Sequence, residues 1–174
     1  MQKTERSLAA RVALYGVMTA LALVFGYIEH LVPFPIGIYG LKIGLANLVV
    51  VVMLYAMNWQ TALIINLVRI FLSFLLFGSA TSLIYSLAGG LLSFALMLLI
   101  KSVVGKRLSP IGVSICGAVA HNIGQIIAAA ILLDELRIAF YLPVLVAVGA
   151  FTGTLIGLAA LPIIKLPVFK RFCK

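Results

Sequence analysis

An arginine in the middle of an apolar segment is the residue of this sequence with the clearest chemical potential. Arg69 lies near the centre of the segment 60–77. A charge at the centre of a membrane span costs about 2.5–3.5 kcal/mol or more, and it almost always faces the bundle interior or a water-filled cavity. Asn66 and Ser73 precede and follow it at helical spacing, so the three form one polar stripe. The planar guanidinium fork suits an anionic ligand; the alternative is a structural clamp to Glu29 or to carbonyls of a broken helix.

A second polar group lies halfway along the segment 110–133. It consists of His121, Asn122 and Gln125. On a helix, His121 and Gln125 share a face, while Asn122 points about 100° away. A depth similar to that of Arg69 favours a shared binding site; the alternative is hydrogen bonding across helices. We predict no metal site, because no cysteine or carboxylate accompanies His121 at ligand spacing.

The segment PFPIGIYGLKIGLANLVVVV, residues 33–52, combines an irregular Pro- and Gly-rich connection with an apolar run. Irregular backbone beside a bilayer persists only where protein or a water-filled cavity covers it. We therefore interpret the loop 30–40 as a lid. Lys42 lies at the outer mouth, where it contacts a ligand or extends its amine to the interface. Asn47 lies five residues deeper on another face; we assign it to the substrate-binding residues, and the alternative is a bond to a neighbouring helix rather than to the same ligand.

Motifs for catalysis are missing from the sequence. Gly105-Lys106 is followed by Arg107, not by Ser or Thr, so there is no Walker A loop for ATP. Asp134-Glu135 is the one adjacent acidic pair, and nothing resembles the paired aspartate-rich motifs that hold Mg²⁺ on a diphosphate. We predict that the chain is not an enzyme, has no catalytic residue and binds no cofactor itself.

The composition places these residues in a membrane. The chain has 174 residues, 64% of them hydrophobic and 10% charged, whereas about a quarter of the residues in a soluble domain are charged. A span needs about 20 apolar residues. The pattern predicts an all-α integral membrane protein with one transmembrane domain, residues 1–174. Its six predicted spans are 9–29, 41–57, 60–77, 82–100, 110–133 and 141–164.

The basic residues predict the orientation of the bundle. Every lysine and arginine except Lys42, Arg69 and Arg137 lies in the N-terminal tail, the connection 101–107 or the C-terminal tail. Cytoplasmic loops carry such an excess of Lys and Arg, so we place both termini in the cytoplasm. We therefore attribute the net charge of +9 to basic residues that are attracted to anionic lipid at the membrane surface, and we do not expect nucleic acid as a partner.

Small residues at helical spacing mark close helix contacts. Gly149, Gly153 and Gly157 form a GxxxGxxxG stripe on the last span, which we assign to packing within the chain. The first span carries a small-residue ridge near its cytoplasmic end. Packing within the chain is one interpretation of the ridge, and docking of another membrane protein is the other. The ridge consists of Ala9, Ala13, Gly16 and Ala20.

Four segments carry a family resemblance: GLKIGLANLVVV, LVRIFLSFLLFGSATSLIYSLAGGLLSF, SPIGVSICGAVAHNIGQ and YLPVLVAVGAFTGTLIG. They resemble the Gx transporter family, which is also labelled heptaprenyl diphosphate synthase component I. The resemblance extends over nearly the whole chain. One departure is Tyr39-Gly40, where the family usually has Pro-Gly before the lysine segment.

The resemblance implies a fold similar to the substrate-binding (S) components of energy-coupling-factor vitamin transporters. Such proteins have six helices and a small-residue ridge on the first helix, which docks a membrane coupling subunit. Two ATPase subunits in the same assembly use ATP. Their substrate site opens outward, between the later helices and the first loop. On this chain that site would contain Lys42, Arg69, His121, Asn122 and Gln125.

Two functional hypotheses of different classes follow. The first is the substrate-binding subunit of an ATP-driven importer in a prokaryotic cell membrane, for a small, anionic cofactor precursor or isoprenoid-related compound. The second is a membrane accessory of polyprenyl diphosphate or quinone synthesis, which presents a lipid substrate to a soluble enzyme. A purely structural adaptor is disfavoured, because a scaffold gains little from a charge at the position of Arg69.

Overall fold

The computed structural model describes residues 2–31, 44–105 and 108–170, with side chains for 8–31, 44–105 and 108–169. These residues form helices joined by short connections, and a 3-10 helix, Leu136–Tyr141, precedes the sixth α-helix. The α-helices are α1 Gln2–Leu31, α2 Asn47–Ala56, α3 Trp59–Phe77, α4 Ala80–Val104, α5 Pro110–Leu133, α6 Leu142–Ile164 and α7 Pro167–Lys170.

Five of these helices, α1 and α3 to α6, are long and apolar enough to cross a membrane. The chain is therefore a multi-pass membrane protein. The second predicted span, 41–57, is represented by α2, whose ten residues extend about 15 Å. That is half the thickness of a bilayer core, about 30 Å. The prediction of six spans with both termini in the cytoplasm stays a prediction, and the proposed lid lies outside the described residues except for its first two, which end α1.

Polar side chains fix where three of the long helices begin. The Asn58 side chain accepts a hydrogen bond from the Thr61 amide at 2.8 Å and starts α3. Ser79 starts α4 in the same way, and Ser109 starts α5 just before Pro110. Such side chains satisfy amides that lack a partner in the first turn of a helix. The connections before α3 and α4 are as short as the sequence predicts.

The short helix α2 lies at the centre of the bundle. Its residues Val49–Leu54 are each at most 1% exposed, and α2 contacts all five long helices. A helix that is apolar on every side is stable only when it is covered on every side. The run LVVVVMLYA therefore specifies the element around which the longer helices pack.

The C-terminal end of α2 is satisfied by a lysine from α4. Lys101 donates a hydrogen bond from Nζ to the carbonyl of Leu54, and its ammonium lies 4.8 Å from the centre of the Tyr55 ring. The last carbonyls of a helix have no partner within it, and a cation stabilises the negative end of the helix dipole. Lys101 therefore stabilises the end of α2, which two residues separate from the start of α3.

Glycines permit the close packing of α5 between α4 and α6. A Cβ added at Gly124 would lie 2.7 Å from the carbonyl oxygen of Ala88 in α4. Added at Gly153 or Gly157, it would lie 2.7 or 2.5 Å from a backbone Cα of α5, that of Ile115 or Ile111. The assignment of the glycine stripe on the last span to packing within the chain is confirmed.

Helix α1 lies at the periphery and carries the small-residue ridge on its open side. In an apolar stretch of 18 residues of α1, 17% of the residues are buried inside the bundle, against 50% in such a stretch of α5. Helix α1 packs mainly on α3, where Tyr27 meets Phe77 edge-on at 5.4 Å. All four ridge residues are exposed, and nothing lies within 4 Å of a Cβ added at Gly16. Within the described residues, packing inside the chain does not explain the ridge.

The two glycine environments predict opposite outcomes for one substitution. Gly157→Ala places a methyl group against the α5 backbone, so we expect a loss of about 1–3 kcal/mol in the free energy of unfolding. Gly16→Ala meets no described residue, and because alanine stabilises a helix interior relative to glycine, we expect no loss and a gain of up to about 1 kcal/mol. Unfolding of both variants by denaturing detergent, followed by circular dichroism, measures the difference. Equal stability of the two variants would contradict the observed contact between α5 and α6.

Candidate functional site

The start of α2 is held by a carboxylate from α1. Gly44 has φ +94°, a conformation that favours glycine, and it turns the chain into the helix. The Glu29 carboxylate oxygen Oε1 accepts hydrogen bonds from the amides of Gly44 and Leu45, the second at 2.6 Å. Glu29 is 6% exposed. A negative charge is favourable beside the first amides of a helix, so this contact fixes both the turn and the position of α2.

Arg69 lies beside this helix start and is held by two asparagines. Its Nε donates to Oδ1 of Asn66 at 3.0 Å, and its Nη2 donates to Oδ1 of Asn47 at 3.3 Å. The Asn66 amide in turn donates to the carbonyl of Gly90 in α4 at 3.1 Å. Arg69 also lies close enough to the Glu29 carboxylate for the two opposite charges to attract each other. Arg69 thus connects α2 to α3 and, through Asn66, to α4.

These contacts bear on both interpretations of Arg69. Asn66, Arg69 and Ser73 are all buried, so the predicted polar stripe faces the bundle interior. The hydrogen bond from Arg69 also confirms that Asn47 bonds a neighbouring helix. The contacts with both asparagines and the attraction to Glu29 are those of a clamp. They also hold the guanidinium in one orientation beside the start of a helix, as an anion site requires, and the ligand role stays a prediction.

His121 and Gln125 form a second polar pair, as their spacing predicts. The Gln125 side-chain nitrogen and His121 Nε2 are 2.7 Å apart. The pair packs on Gly89 of α4, where an added Cβ would lie 3.0 Å from the imidazole and 2.9 Å from Gln125. The imidazole also borders the turn before α2, since a Cβ on Gly44 would lie 3.5 Å from His121 Cδ2. The structure therefore brings His121 close to the Glu29 turn.

Asn122 faces a different part of the bundle. Its Nδ2 donates to the carbonyl of Leu145 in α6 at 2.7 Å. A Cβ on Gly149 would lie 2.8 Å from the same nitrogen, so the glycine makes room for the amide. Asn122 thus connects α5 to α6. The structure does not show it beside Arg69, and its predicted ligand role stays a prediction.

Several buried polar atoms have no hydrogen-bond partner among the described residues. The most informative is Nδ2 of Asn47, which lies 3.0 Å from where a Cβ on Gly44 would stand. A buried donor without a partner costs free energy, so a ligand that accepts its hydrogen bond gains affinity. The others are side-chain oxygens of Tyr55, Ser86, Ser93 and Asn122.

The structure brings together some of the residues that the sequence analysis assigns to a binding site. Asn47, Arg69 and His121 surround the start of α2, while Lys42 lies outside the described residues. The sequence analysis names Glu29 only as a clamp for Arg69, although Glu29 belongs to the same cluster. A signal for its role is that the chain contains only four acidic residues and one of them lies at the end of an apolar helix. Among the described residues, no group of three His, Cys, Asp or Glu side chains is arranged so that it could hold a metal ion.

A separate apolar groove of about 310 Å³ lies between α1 and α3. It borders the ridge, because Gly16 belongs to both. Side chains of Tyr15 and Ile65 form part of its walls. The full lining consists of Val12, Tyr15, Gly16, Thr19, Thr61, Ile64, Ile65 and Val68.

Comparison with known families and proteins gives one match. The family model of heptaprenyl diphosphate synthase component I matches residues 18–162, from the middle of α1 to near the end of α6. Comparisons with curated proteins and with solved structures gave no match. The matched range contains the α2 turn, Arg69 and the His121 pair. Because the match extends over most of the sequence, the chain belongs to the heptaprenyl diphosphate synthase component I family.

Proposed function

We propose that this chain is the substrate-binding membrane subunit of an ATP-driven importer, and that its substrate is a small anionic compound. The observation that carries the proposal is the convergence inside the bundle of Arg69, the start of α2 and Asn47 Nδ2, a buried donor without a partner among the described residues. Each of these groups stabilises negative charge. A buried cation in a membrane protein commonly marks a substrate pathway. In some transporters, the N-terminus of a helix that begins within the membrane points at the anionic group of the substrate.

The chemistry of the cluster favours an anion with hydrogen-bond acceptors. The guanidinium can face carboxylate or phosphate oxygens with two parallel donors. Asn47 accepts from this guanidinium through Oδ1, and its Nδ2 donor lies toward Gly44. His121 and Gln125 supply further polar groups at the border of the turn. Asn122 and Lys42 complete the proposed binding set, with Lys42 at the outer mouth. A cofactor precursor or an isoprenoid-related anion fits this description.

The exposed ridge supports a partner in the membrane. Small side chains let a second helix approach closely where no large side chain intervenes, and Ala9, Ala13, Gly16 and Ala20 are all exposed. The adjoining groove can accept larger side chains of that helix. We propose a membrane coupling subunit as the occupant, with two ATPase subunits bound to it. Those subunits would use ATP, and this chain would bind no cofactor.

The proposed cycle uses these parts in order. The substrate enters from outside past the loop 30–40, which then closes. Movement of the coupling subunit, driven by ATP, turns the site toward the cytoplasm. The orientation with both termini in the cytoplasm, in the cell membrane of a prokaryote, belongs to this proposal.

Substitution of Arg69 tests the binding site. We expect Arg69→Gln to lower affinity for the native ligand at least 10-fold, because the substitution removes the cation and its fork. Native mass spectrometry of the gently extracted protein, without nucleotide, identifies the retained molecule. Isothermal titration then compares the variant with the wild type. Arg137→Gln removes the same charge at an exposed position and serves as the control.

Two results would count against the importer. One is a folded Arg69→Gln variant that binds the retained molecule as tightly as the wild type. The other is substrate uptake into vesicles by this chain alone, without ATPases, which would indicate a solitary carrier.

Substitution on the ridge tests the partner. We expect Ala13→Leu to abolish co-purification of the coupling subunit, because the larger side chain holds the two helices apart, while the detergent-unfolding midpoint stays unchanged. Ala95→Leu makes the same change at an exposed position of α4 and should leave the complex intact. Normal recovery of the complex with Ala13→Leu would contradict docking at the ridge.

The family name supports a second candidate function, one component of a prenyl diphosphate synthase. In that case the groove between α1 and α3 would hold an isoprenoid chain for a soluble enzyme. This function predicts that the chain co-purifies with a soluble prenyl synthase and that its deletion shortens the cellular polyprenyl products. Normal product length in the deletion strain, together with lost uptake of the retained molecule, would favour the importer.

A further inference from the structure

The turn before α2 has the shape of an anion-binding site. Gly44 adopts φ +94°, and the next residues enter a helical turn. In this arrangement two successive amides, those of Gly44 and Leu45, point at one atom, Oε1 of Glu29. Concave groups of successive amides of this kind bind anions in many proteins. Here the bound anion is a side chain of the protein.

A neighbouring amide points to a ligand other than Glu29. Asn47 is 3% exposed, and its orientation is fixed because Oδ1 accepts from Arg69. Nδ2 must then point away from the arginine, and it lies 3.0 Å from where a Cβ on Gly44 would stand. Among the described residues this donor has no partner. The site therefore offers more donors than the Glu29 carboxylate is seen to use.

We propose that Glu29 is a built-in occupant of this anion site, and that the anionic group of the substrate displaces it. The proposal rests on the proposed function, which it deepens by naming the residue that the substrate must replace. A carboxylate or phosphate group in the site would accept from the Gly44 and Leu45 amides and from Asn47 Nδ2, and it would face Arg69.

The charges explain why the two anions exchange. Arg69 is the cation to which Glu29 is attracted, and a second anion beside Glu29 would meet strong repulsion in a medium of low dielectric constant. Glu29 lies in the last turn of α1, two residues before Leu31 ends the helix. A change of side-chain rotamer can therefore move its carboxylate away from α2 without moving α1.

The exchange sets the specificity of the site. An anion must supply enough interaction to replace the Glu29 contacts, so simple anions bind the wild type more weakly than a protein without this carboxylate. A cation gains nothing, because it would meet Arg69. Once Glu29 leaves, the connection between the end of α1 and the start of α2 is released.

Infrared difference spectroscopy on the full chain tests the exchange directly. The protein is immobilised in lipid and perfused with inorganic phosphate, whose bands do not overlap those of carboxylates. We expect a carboxylate difference band in the wild type and in Glu135→Gln, and no such band in Glu29→Gln. The chain has only four acidic residues, so the band can be assigned. A wild type that binds phosphate without a carboxylate band, or that binds none at any concentration, overturns the proposal.

Affinity provides the second test. Removing the competitor should strengthen anion binding, so we expect Glu29→Gln to bind phosphate and acetate at least 10-fold more tightly, measured by the rise of the unfolding midpoint with probe concentration. Acetate and phosphate distinguish a carboxylate from a phosphate ligand. Glu135→Gln, which removes an exposed acid, should bind like the wild type. If Glu29→Gln fails to fold, Glu29→Asp retracts the carboxylate by one methylene and should raise affinity by a smaller factor.

The outcomes separate this proposal from the importer. Unchanged or weaker anion binding in folded Glu29 variants overturns the exchange, and ATP-dependent uptake by the assembled complex would then leave the importer standing. Tighter binding in these variants, in a protein that forms no complex with a coupling subunit, supports the exchange and overturns the importer.

Discussion

The structure depends on a helix that is too short to cross the membrane. Because α2 begins among other helices, the amides at its start are buried, and an unsatisfied group there is costly. At its other end, which two residues separate from the start of α3, the last carbonyls have no partner within the helix. Two ionisable side chains meet this need: Glu29 from α1 accepts from amides at the start, and Lys101 from α4 donates to a carbonyl at the end. Both side chains match the sign of the helix dipole. The apolar sides of α2 fit any well-packed bundle, but its two ends specify which helices must lie beside it.

This constraint explains why the polar cluster lies where it does. Once a carboxylate is fixed at the start of α2, a nearby cation stabilises it, and Arg69 supplies that charge. Arg69 then needs acceptors, which Asn47 and Asn66 provide. A structural requirement therefore produces the same groups that bind an anion. Clamp and binding site are not exclusive alternatives, because a site that already contains an anion is stable when empty of substrate.

The sequence predicts much of the fold, for reasons that also explain its limits. Long apolar segments locate α1 and α3 to α6, since length and hydropathy are sufficient to identify a span. The same criteria do not locate the start of α2, which lies at Asn47, inside the predicted span 41–57. Hydropathy identifies the run as apolar. The position at which α2 begins depends on the positive φ of Gly44 and on its hydrogen bond to Glu29 of α1. Spacing predicts the pair of His121 and Gln125, because both lie on one helix. It cannot show that Asn122 reaches Leu145, which depends on how α5 packs against α6.

The exposed side of α1 has a different physical origin from the buried glycine contacts. Between α4, α5 and α6, glycines are matched by a backbone at contact distance, so the small residue and its neighbour form one interface. On the ridge of α1, a Cβ added at Gly16 would meet no described residue within 4 Å, although Tyr27, nearer the other end of that helix, packs on Phe77. Sequence spacing cannot separate the two cases, because both have small residues three or four positions apart. The difference lies in what the rest of the chain places opposite them, and α1, held mainly by α3, keeps its other side open to the membrane.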